Sequence, residues 1–177
     1  MFAHAKRRNL FLTGMMATGK STIGEIIARK LAYVFIDTDA VIERQMSLPV
    51  TEIFAVYGED FFRQRETSLL PEIISREHQV IATGGGMLTN HGNMAAAFAN
   101  GLVILLHAPI AVLATRLSNA TDRPLLDGFS PEKRLQEIYD RRAEFYEGIR
   151  HQVDTSNGNI DQAAEEIVGL YMNWLNE

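Results

Sequence analysis

Cysteine is absent from the chain of 177 residues, which excludes disulfide bonds, thiolate metal sites and a cysteine nucleophile. Acidic residues outnumber basic ones, 22 to 17, so the chain lacks the excess of positive charge that nucleic-acid binding requires. The apolar run near the amino terminus stops at Thr13 and is too short for a signal peptide or a membrane span. These absences predict a cytoplasmic protein that acts on small molecules, with neither nucleic acid nor membrane as a partner.

Short apolar runs alternate with helical patterns along the sequence, and this alternation is typical of a parallel sheet covered by helices. The nearly continuous apolar character of the strands predicts that both faces of the sheet are covered. We therefore expect a single α/β domain over residues 1–177 with three layers, αβα. The predicted strands span 9–13, 33–37, 79–83, 102–106 and 152–154. The predicted helices span 20–31, 40–46, 51–56, 59–76, 90–99, 110–117, 131–148 and 160–175.

Two places depart from this regular pattern. Pro71 lies inside the predicted helix 59–76 and removes a backbone donor, so we expect it to kink or split that helix. The segment 118–133 has few apolar side chains and carries several turn-forming residues. A loop of this length within one domain is uncommon unless it works as a lid, and we predict a mobile lid here.

The stretch from Gly14 to Ser21 matches the phosphate-binding pattern G-x-x-x-x-G-K-[ST], between a predicted strand and a predicted helix. In this pattern the glycines let successive backbone N–H groups surround phosphate oxygens, Lys20 adds a positive charge, and Ser21 can bind magnesium. The helix that follows directs its positive end at the anion. We therefore predict a nucleotide-binding loop made of Gly14, Met15, Met16, Ala17, Thr18, Gly19, Lys20, Ser21 and Thr22.

Two further motifs follow the second and third predicted strands. Asp37 and Asp39 stand at the carboxyl end of a strand, where such sheets bind ligands, and their candidate partners are magnesium or a substrate hydroxyl. The alternative is that Asp39 or Thr38 only caps the next helix. Three consecutive glycines after the third strand lose much conformational entropy on folding, which favours close approach of a ligand over a simple turn. These glycines are Gly84, Gly85 and Gly86.

Arginines supply further candidates. Helical spacing across the predicted helix 131–148 places Arg142 in the middle of an apolar stripe, where a guanidinium needs an anionic partner. That partner is either a structural carboxylate or the carboxylate of a substrate. Arg63 lies at the edge of another apolar stripe, a position that also suits a solvated surface residue. Glu66 lies within that stripe and is placed to orient a nearby arginine.

Two more arginines lie in or beside the predicted lid. Arg123 precedes a proline in the lid, where a cation is placed to swing over transferring phosphates. Arg116 ends the preceding helix, and compensation of the helix-end charge is its alternative explanation. The five histidines are scattered without the spacing of metal ligands, and we assign them no role.

Together these motifs resemble the shikimate kinases over almost the whole chain. The resemblance rests on GMMATGKST, DTD, GEDFFRQRE, ATGGG, RPLL and RRAEFY, in this order and at similar spacing. It implies a P-loop fold like that of nucleoside monophosphate kinases, with a five-stranded parallel sheet of order 2-3-1-4-5, a lid at about 118–133 and a substrate-binding region at about 38–76. It also implies transfer of the γ-phosphoryl group of ATP to the 3-hydroxyl of shikimate, on the route to chorismate and the aromatic amino acids. We expect a monomer.

On the nucleotide side, the resemblance implies that Lys20 and the loop backbone hold the phosphates. Magnesium is then held by Ser21, and by Asp37 through water. Arg123 reaches the phosphates from the lid, and Arg116 is positioned near the adenine. Phosphoryl transfer needs little covalent help from the protein, so these charges and a closed lid are expected to supply most of the acceleration.

On the acceptor side, the resemblance implies that Asp39 accepts a hydrogen bond from the shikimate hydroxyl and is placed to act as the base. Arg63 and Arg142 bind the shikimate carboxylate, and the glycines at 84–86 line the same pocket. The catalytic group is therefore expected to consist of Asp39, Lys20 and Arg123.

Two departures from the family pattern leave alternatives open. Ala17 stands where the family usually has glycine, and the segment near Asn157 lacks an arginine that some members place against the adenine. The alternative functions are a gluconate-type kinase of small polyols, a nucleoside monophosphate kinase, and a catalytically inactive regulatory paralogue. A GTP-driven switch is disfavoured because the chain contains no guanine-reading N-K-x-D segment.

Overall fold

The computed structural model describes residues 8–118 and 130–177, and these residues form a five-stranded sheet with parallel neighbours. The strand order is β2, β3, β1, β4, β5, as the resemblance implied. All five predicted strands are confirmed, with ends that differ by at most one residue. The strands are β1 (Asn9–Thr13), β2 (Val34–Asp37), β3 (Gln79–Ala82), β4 (Gly101–His107) and β5 (His151–Asp154).

Helices cover both faces of the sheet. The described helices are α1 (Lys20–Leu31), α2 (Thr38–Met46), α3 (Val50–Ile74), α4 (His91–Asn100), α5 (Ile110–Ser118), α6 (Pro131–Asp140), α7 (Ala143–Glu147) and α8 (Ile160–Asn176). Alternate residues of a strand point to opposite faces, so in β1 the buried Phe11 packs with residues of α2 to α7. Its neighbours Leu10 and Leu12 pack with α1 and α8 on the other face. The predicted three-layer arrangement is therefore confirmed.

The register of the strands brings three loops to one edge of the sheet. Leu12 of β1 lies opposite Ala82 of β3, and Ala82 lies opposite Asp37 of β2. Thr83 strengthens this edge, because its amide and its hydroxyl both donate to the Leu12 carbonyl oxygen, at 2.9 and 3.2 Å. The loop after β1, the start of α2 and the glycines after β3 therefore adjoin one another.

Helix α3 joins two segments that the sequence predicted as separate helices. The backbone at Gly58 is non-helical, with φ 82° and ψ 167°, and provides the predicted break. The expected split at Pro71 does not occur, because the helix continues past it to the end of α3, and the kink expected there stays a prediction. Pro71 removes the donor that would bond to the Thr67 carbonyl. Both residues are exposed, so water can satisfy that carbonyl.

The prediction of a single helix over 131–148 is also wrong, because the structure divides this segment into α6 and α7. Arg141 and Arg142 separate the two helices, and Arg142 has φ −112° and ψ −6°. Its amide donates to the Tyr139 carbonyl oxygen at 2.8 Å, and its own carbonyl accepts from the Tyr146 amide at 3.1 Å. Arg142 therefore lies at a helix junction rather than in the middle of a helix.

The predicted lid falls mainly on residues 119–129, which lie outside the described residues, and so does Arg123. The lid and the role of Arg123 therefore stay predictions. Within residues 8–118 and 130–177, no helix is both long and apolar enough to cross a membrane.

Candidate active site

The loop between β1 and α1 is folded into a cradle whose backbone requires glycine at two positions. Gly14 has φ 139° and Gly19 has φ 91°, values that L side chains rarely adopt. A Cβ atom on Gly14 would also collide with the Leu106 carbonyl oxygen. The Thr18 hydroxyl donates to the Met15 carbonyl oxygen at 2.8 Å, which closes the loop from within. The predicted phosphate-binding conformation is thus encoded locally.

Lys20, the first residue of α1, reaches back across this loop. Its ammonium donates to the carbonyl oxygens of Gly14 and Met15, at 3.0 and 2.8 Å. The charge therefore lies at the amino-terminal end of α1, where the helix dipole also favours an anion. Both features make this position suitable for the phosphates of a nucleotide.

Arg116 ties the loop to the segment that follows β5. Its guanidinium donates to the Ala17 carbonyl oxygen at 3.1 Å and also to the Thr155 carbonyl oxygen. Arg116 also stands in the last turn of α5, so compensation of the helix-end charge remains an additional explanation of the residue. Ala17 itself has φ 64°, in the left-handed region. The alanine at this position therefore adopts the conformation for which glycine is usually chosen.

Ser21 and Asp37 form the oxygen-rich part of the site. The Ser21 hydroxyl donates to Asp37 Oδ2 at 2.5 Å. Asp37 Oδ1 accepts from the amides of Asp39 and Ala40, at 3.0 and 3.2 Å, and so caps α2. The alternative that Asp39 or Thr38 serves as the cap is wrong. The Thr38 hydroxyl instead accepts from the Gly84 amide at 2.8 Å, which joins α2 to the glycine loop.

The donor set of Ser21 and Asp37 fits magnesium. Hydroxyl, carboxylate and water oxygens are the ligands that this ion prefers, and it is commonly bound by one or two protein groups with phosphates completing the shell. Within the described ranges, no cluster of three or more His, Cys, Asp or Glu side chains is suited to hold a metal. An ion at this position would take its remaining ligands from nucleotide phosphates and water.

Two carboxylate oxygens face Gly84 without a hydrogen-bond partner. They are Asp39 Oδ1 and Glu66 Oε1, both buried. A Cβ atom on Gly84 would lie 2.5 Å from the Glu66 oxygen and would overlap the Asp39 oxygen. Because buried acceptors are costly when left unpaired, the pair of oxygens is suited to receive a donor from a ligand, such as a hydroxyl group.

Burial controls the titration of both carboxyl groups. It raises the pKa of Asp39, and the neighbouring Asp37 carboxylate raises it further, while Lys20 and Arg63 act in the opposite direction. Burial also raises the pKa of Glu66 to about 7, against the lowering effect of Arg63. Perturbed carboxyl groups of this kind cluster at functional sites.

Arg63 is held between two carboxylates of its own helix. Its Nη1 pairs with Glu66 Oε2 at 2.7 Å, and its Nη2 pairs with Glu59 Oε1 at 2.8 Å. The aromatic rings of Phe54 and Phe62 flank the guanidinium, with centroids 5.9 and 5.6 Å from Cζ. The side chain is only 29% exposed, so the solvated-surface alternative is wrong and the prediction that Glu66 orients an arginine is confirmed.

Arg142 approaches the glycine loop, residues 84–86, from the junction of α6 and α7. Its Nη1 lies 3.9 Å from the Met15 sulfur and 2.9 Å from the position of a Cβ atom on Gly85. In the described part of the chain, no carboxylate forms an ion pair with this guanidinium. The described part of the chain thus offers no support for the alternative that Arg142 belongs to a structural ion pair. The half-buried charge of its guanidinium is available to an anion.

The three glycines each face a different side chain of the site. A Cβ atom would meet Asp39 and Glu66 at Gly84, and the Arg142 guanidinium at Gly85. At Gly86 it would lie within 2.7 Å of three guanidinium atoms of Arg63. The structure thus shows functional side chains close to bare backbone, which explains why three glycines stand in a row, and the predicted close approach of a ligand stays a prediction.

Three contributors were missed in the sequence. Glu59 was detectable, because its spacing of four residues from Arg63 is typical of a helical ion pair. Thr38 was considered only as a cap, and no sequence signal indicated its bond to Gly84. Tyr146, whose hydroxyl donates to the Gly85 carbonyl oxygen at 3.2 Å, lies in the RRAEFY motif, and no sequence signal indicated this bond.

The fold and the loop define the class of the protein as a P-loop phosphotransferase of the nucleoside-monophosphate-kinase-like type, with a basic pocket beside the phosphate cradle. Comparison with known proteins identifies the family. The sequence model described as shikimate kinase matches residues 16–171, so the chain belongs to the shikimate kinase family.

Individual relatives agree with this assignment. The shikimate kinase of Caldanaerobacter subterraneus subsp. tengcongensis is 39% identical over 165 residues, which are 93% of this chain and 96% of that protein. The shikimate kinase from Acinetobacter baumannii, solved in complex with shikimate, has a TM-score of 0.87 at 33% identity and covers 96% of this chain and 95% of its own. A gluconokinase from Sinorhizobium meliloti 1021 reaches a TM-score of 0.59 at 21% identity over 97% of each chain, a likeness of fold alone.

Proposed function

We propose that the protein transfers the γ-phosphoryl group of ATP to the 3-hydroxyl of shikimate, and so serves the route to chorismate and the aromatic amino acids. The observation that carries the proposal is the convergence of Arg63, Arg142 and the unpartnered Asp39 oxygen on three glycines beside the phosphate loop. Shikimate is a cyclic hydroxy acid, and this pocket offers cations for its carboxylate and an acceptor for its hydroxyl group. The relative from Acinetobacter baumannii was solved with shikimate bound.

The two arginines bind the acceptor carboxylate in this proposal. Arg142 offers a guanidinium without a carboxylate partner in the described chain, and Arg63 is fixed in place by Glu59 and Glu66. A planar guanidinium suits a carboxylate because two parallel hydrogen bonds can form. This fixes the orientation of the ring and therefore the position of its hydroxyl groups relative to Asp39.

The nucleotide occupies the loop from Gly14 to Thr22. Lys20 and the loop amides compensate the charge of the phosphates, and Arg116 lies on the side of the loop where β5 ends, near the adenine. Ser21, and Asp37 through water, would hold Mg²⁺ there. When bound, this ion neutralises charge on the phosphate oxygens.

Asp39 acts as the general base. It accepts the proton of the 3-hydroxyl as that oxygen forms a bond to the γ-phosphorus, while the bond from the γ-phosphorus to the bridging oxygen of ADP breaks. Burial raises the pKa of Asp39, which makes its carboxylate a better proton acceptor than an exposed one. Lys20 stabilises the charge that moves onto ADP, and positioning supplies most of the remaining acceleration.

Release of ADP in the presence of shikimate, gluconate or CMP, each offered separately, tests the proposal. We expect turnover with shikimate only, and the NMR spectrum of the product locates the phosphate on the 3-oxygen. Lys20→Met is expected to remove turnover while the protein stays folded. Preference for gluconate or CMP would support one of the other kinases, and a wild-type protein that binds ATP without turnover would be the inactive paralogue.

A further inference from the structure

Tyr146 is a buried residue whose polar end faces the glycine loop. Its side chain is 4% exposed, and its hydroxyl donates to the Gly85 carbonyl oxygen at 3.2 Å. A phenylalanine would fill the same space, so packing alone does not require the hydroxyl. Burial raises the pKa of Tyr146, although the Arg142 guanidinium lowers it, so the hydroxyl keeps its proton and remains a donor at neutral pH.

The hydrogen bond acts on a peptide group with a second polar end. The Gly85 carbonyl and the Gly86 amide belong to one planar trans peptide, so the two groups point in opposite directions. Glycine residues restrain this plane weakly, because they have no side chain. Holding the carbonyl oxygen therefore also sets the direction of the Gly86 N–H. Among the described residues, neither the Gly85 nor the Gly86 amide donates to another protein group.

Tyr146 also links this peptide to the arginine beside it, through a second hydrogen bond. Tyr146 lies one helical turn after Arg142, and its amide donates to the Arg142 carbonyl oxygen at 3.1 Å. A Cβ atom on Gly85 would lie 2.9 Å from Arg142 Nη1, so guanidinium and peptide are in contact. Tyr146 therefore contacts both the glycine loop and the segment that presents Arg142.

We infer that Tyr146 is a positioning residue for the acceptor substrate, whose hydroxyl fixes the peptide between Gly85 and Gly86 and thereby presents the Gly86 amide beside Arg142 and Arg63. This inference rests on the proposed function, because the acceptor is shikimate. In this inference Tyr146 acts on the acceptor side of the site. Loss of its hydroxyl leaves the Gly85 carbonyl unpaired and lets the peptide rotate, which weakens acceptor binding and leaves ATP binding unchanged.

The test compares Tyr146→Phe with Tyr139→Phe. Tyr139 is the matched control because its ring lies 6.0 Å from that of Tyr146, centroid to centroid, and is half-buried. For Tyr146→Phe we expect the KM for shikimate to rise about five-fold, with kcat and the KM for ATP within about two-fold of wild type. For Tyr139→Phe we expect all three constants to stay within about two-fold.

A second measurement follows the Gly86 amide directly. In Tyr146→Phe its ¹⁵N and ¹H chemical shifts are expected to move more than in Tyr139→Phe, while thermal unfolding shows that both variants are folded. Equal increases in both KM values would assign Tyr146 a general structural role and overturn the inference. An unchanged KM for shikimate would also overturn the inference, but it would leave the proposed function in place. A wild-type protein without shikimate turnover would overturn the proposed function and the inference with it.

Discussion

At the scale of single residues, the two arginines of the pocket differ in how their charge is already used. Arg63 pairs with Glu59 and Glu66, whereas Arg142 has no carboxylate partner in the described part of the chain. Carboxylates that already bond to a guanidinium compete with a bound anion for its charge and its N–H groups. Arg142 is therefore expected to contribute more to acceptor binding, and Arg63 to contribute more to its orientation.

Replacement of Arg142 by alanine tests this difference. We expect the KM for shikimate to rise roughly 10- to 100-fold and the KM for ATP to stay within about two-fold, because a charge-assisted contact is lost on the acceptor side alone. Steady-state kinetics with each substrate varied in turn measures both values. Arg141→Ala is the control, since Arg141 is exposed and donates to the Glu137 carbonyl oxygen of its own segment. Equal effects on both KM values would make Arg142 a structural residue.

Replacement of Asp39 by asparagine keeps the size of the side chain and removes the base. We expect kcat to fall about 100-fold or more, because general base catalysis typically contributes that much. The affinity for ATP, measured by calorimetry, is expected to change less than about two-fold. Asp60→Asn, which alters an exposed carboxylate of α3, serves as the control. An unchanged kcat would show that the Asp39 carboxylate is not the base.

At the scale of elements, the break in α3 shapes one wall of the pocket. Phe54 precedes Gly58 and Phe62 follows it, and their rings approach each other with centroids 4.9 Å apart. Both rings flank the Arg63 guanidinium. The change of direction at Gly58 thus lets two parts of one helix hold the same arginine.

Substitution of Gly58 by alanine tests the backbone at this break. Apart from the adjoining backbone, no atom of the described residues lies within 4 Å of the position of its Cβ atom, so a loss of stability is expected to arise from φ 82° and ψ 167°. We expect the free energy of unfolding to fall by about 1–3 kcal/mol, because this region is almost restricted to glycine. Gly169→Ala in the regular helix α8 is the control and is expected to raise it by about 0.5–1 kcal/mol. Urea denaturation measures the free energy of unfolding of both variants. An unchanged free energy of unfolding for Gly58→Ala would contradict the prediction that this backbone conformation is restricted to glycine.

The elements that the sequence predicted correctly are those whose signals are local. The strands are nearly continuous apolar runs, and Gly14 and Gly19 encode the phosphate loop through their own backbone angles. The division between α6 and α7 was missed because no glycine or proline marks it, and helical periodicity runs through Arg142 without interruption. Arg142 was nevertheless identified as a candidate, since a cation among apolar residues requires a partner in either arrangement.

At the scale of the whole molecule, the site lowers the stability of the fold at neutral pH. Glu66 has its Oε1 buried without a partner, and its pKa is raised by burial to about 7. A carboxyl group whose pKa is higher in the folded state stabilises that state while it is protonated. This contribution is fully present below the unfolded pKa, near 4.5, and is lost as the pH rises through about 7.

Replacement of Glu66 by glutamine should remove this pH dependence. Between pH 5 and 8 the wild-type protein is expected to lose up to about 3 kcal/mol of unfolding free energy relative to the variant. Urea denaturation at several pH values measures the difference. Glu59→Gln is the control, because Arg63 lowers the pKa of Glu59 and its contribution is lost only as the pH falls below its ordinary range. A constant difference between wild type and Glu66→Gln would contradict the prediction.

The arrangement of the site was predictable only in part. Parallel strands place their carboxyl ends at one edge, so the proximity of the phosphate loop, the Asp37 segment and the glycines followed from the strand pattern. The convergence of Asp39 and Glu66 on Gly84 did not, because it depends on how α2 and α3 pack over that edge. Contacts between side chains far apart in sequence leave no periodic signal.

The glycine loop also has a consequence for protein engineering. Because a methyl group at any of positions 84–86 would displace a different functional side chain, enlarging these residues would disturb the positions of Asp39, Glu66, Arg142 or Arg63. Libraries that aim to change the accepted alcohol should therefore keep these three codons fixed and vary Phe54, a half-buried residue of α3 whose ring flanks the Arg63 guanidinium.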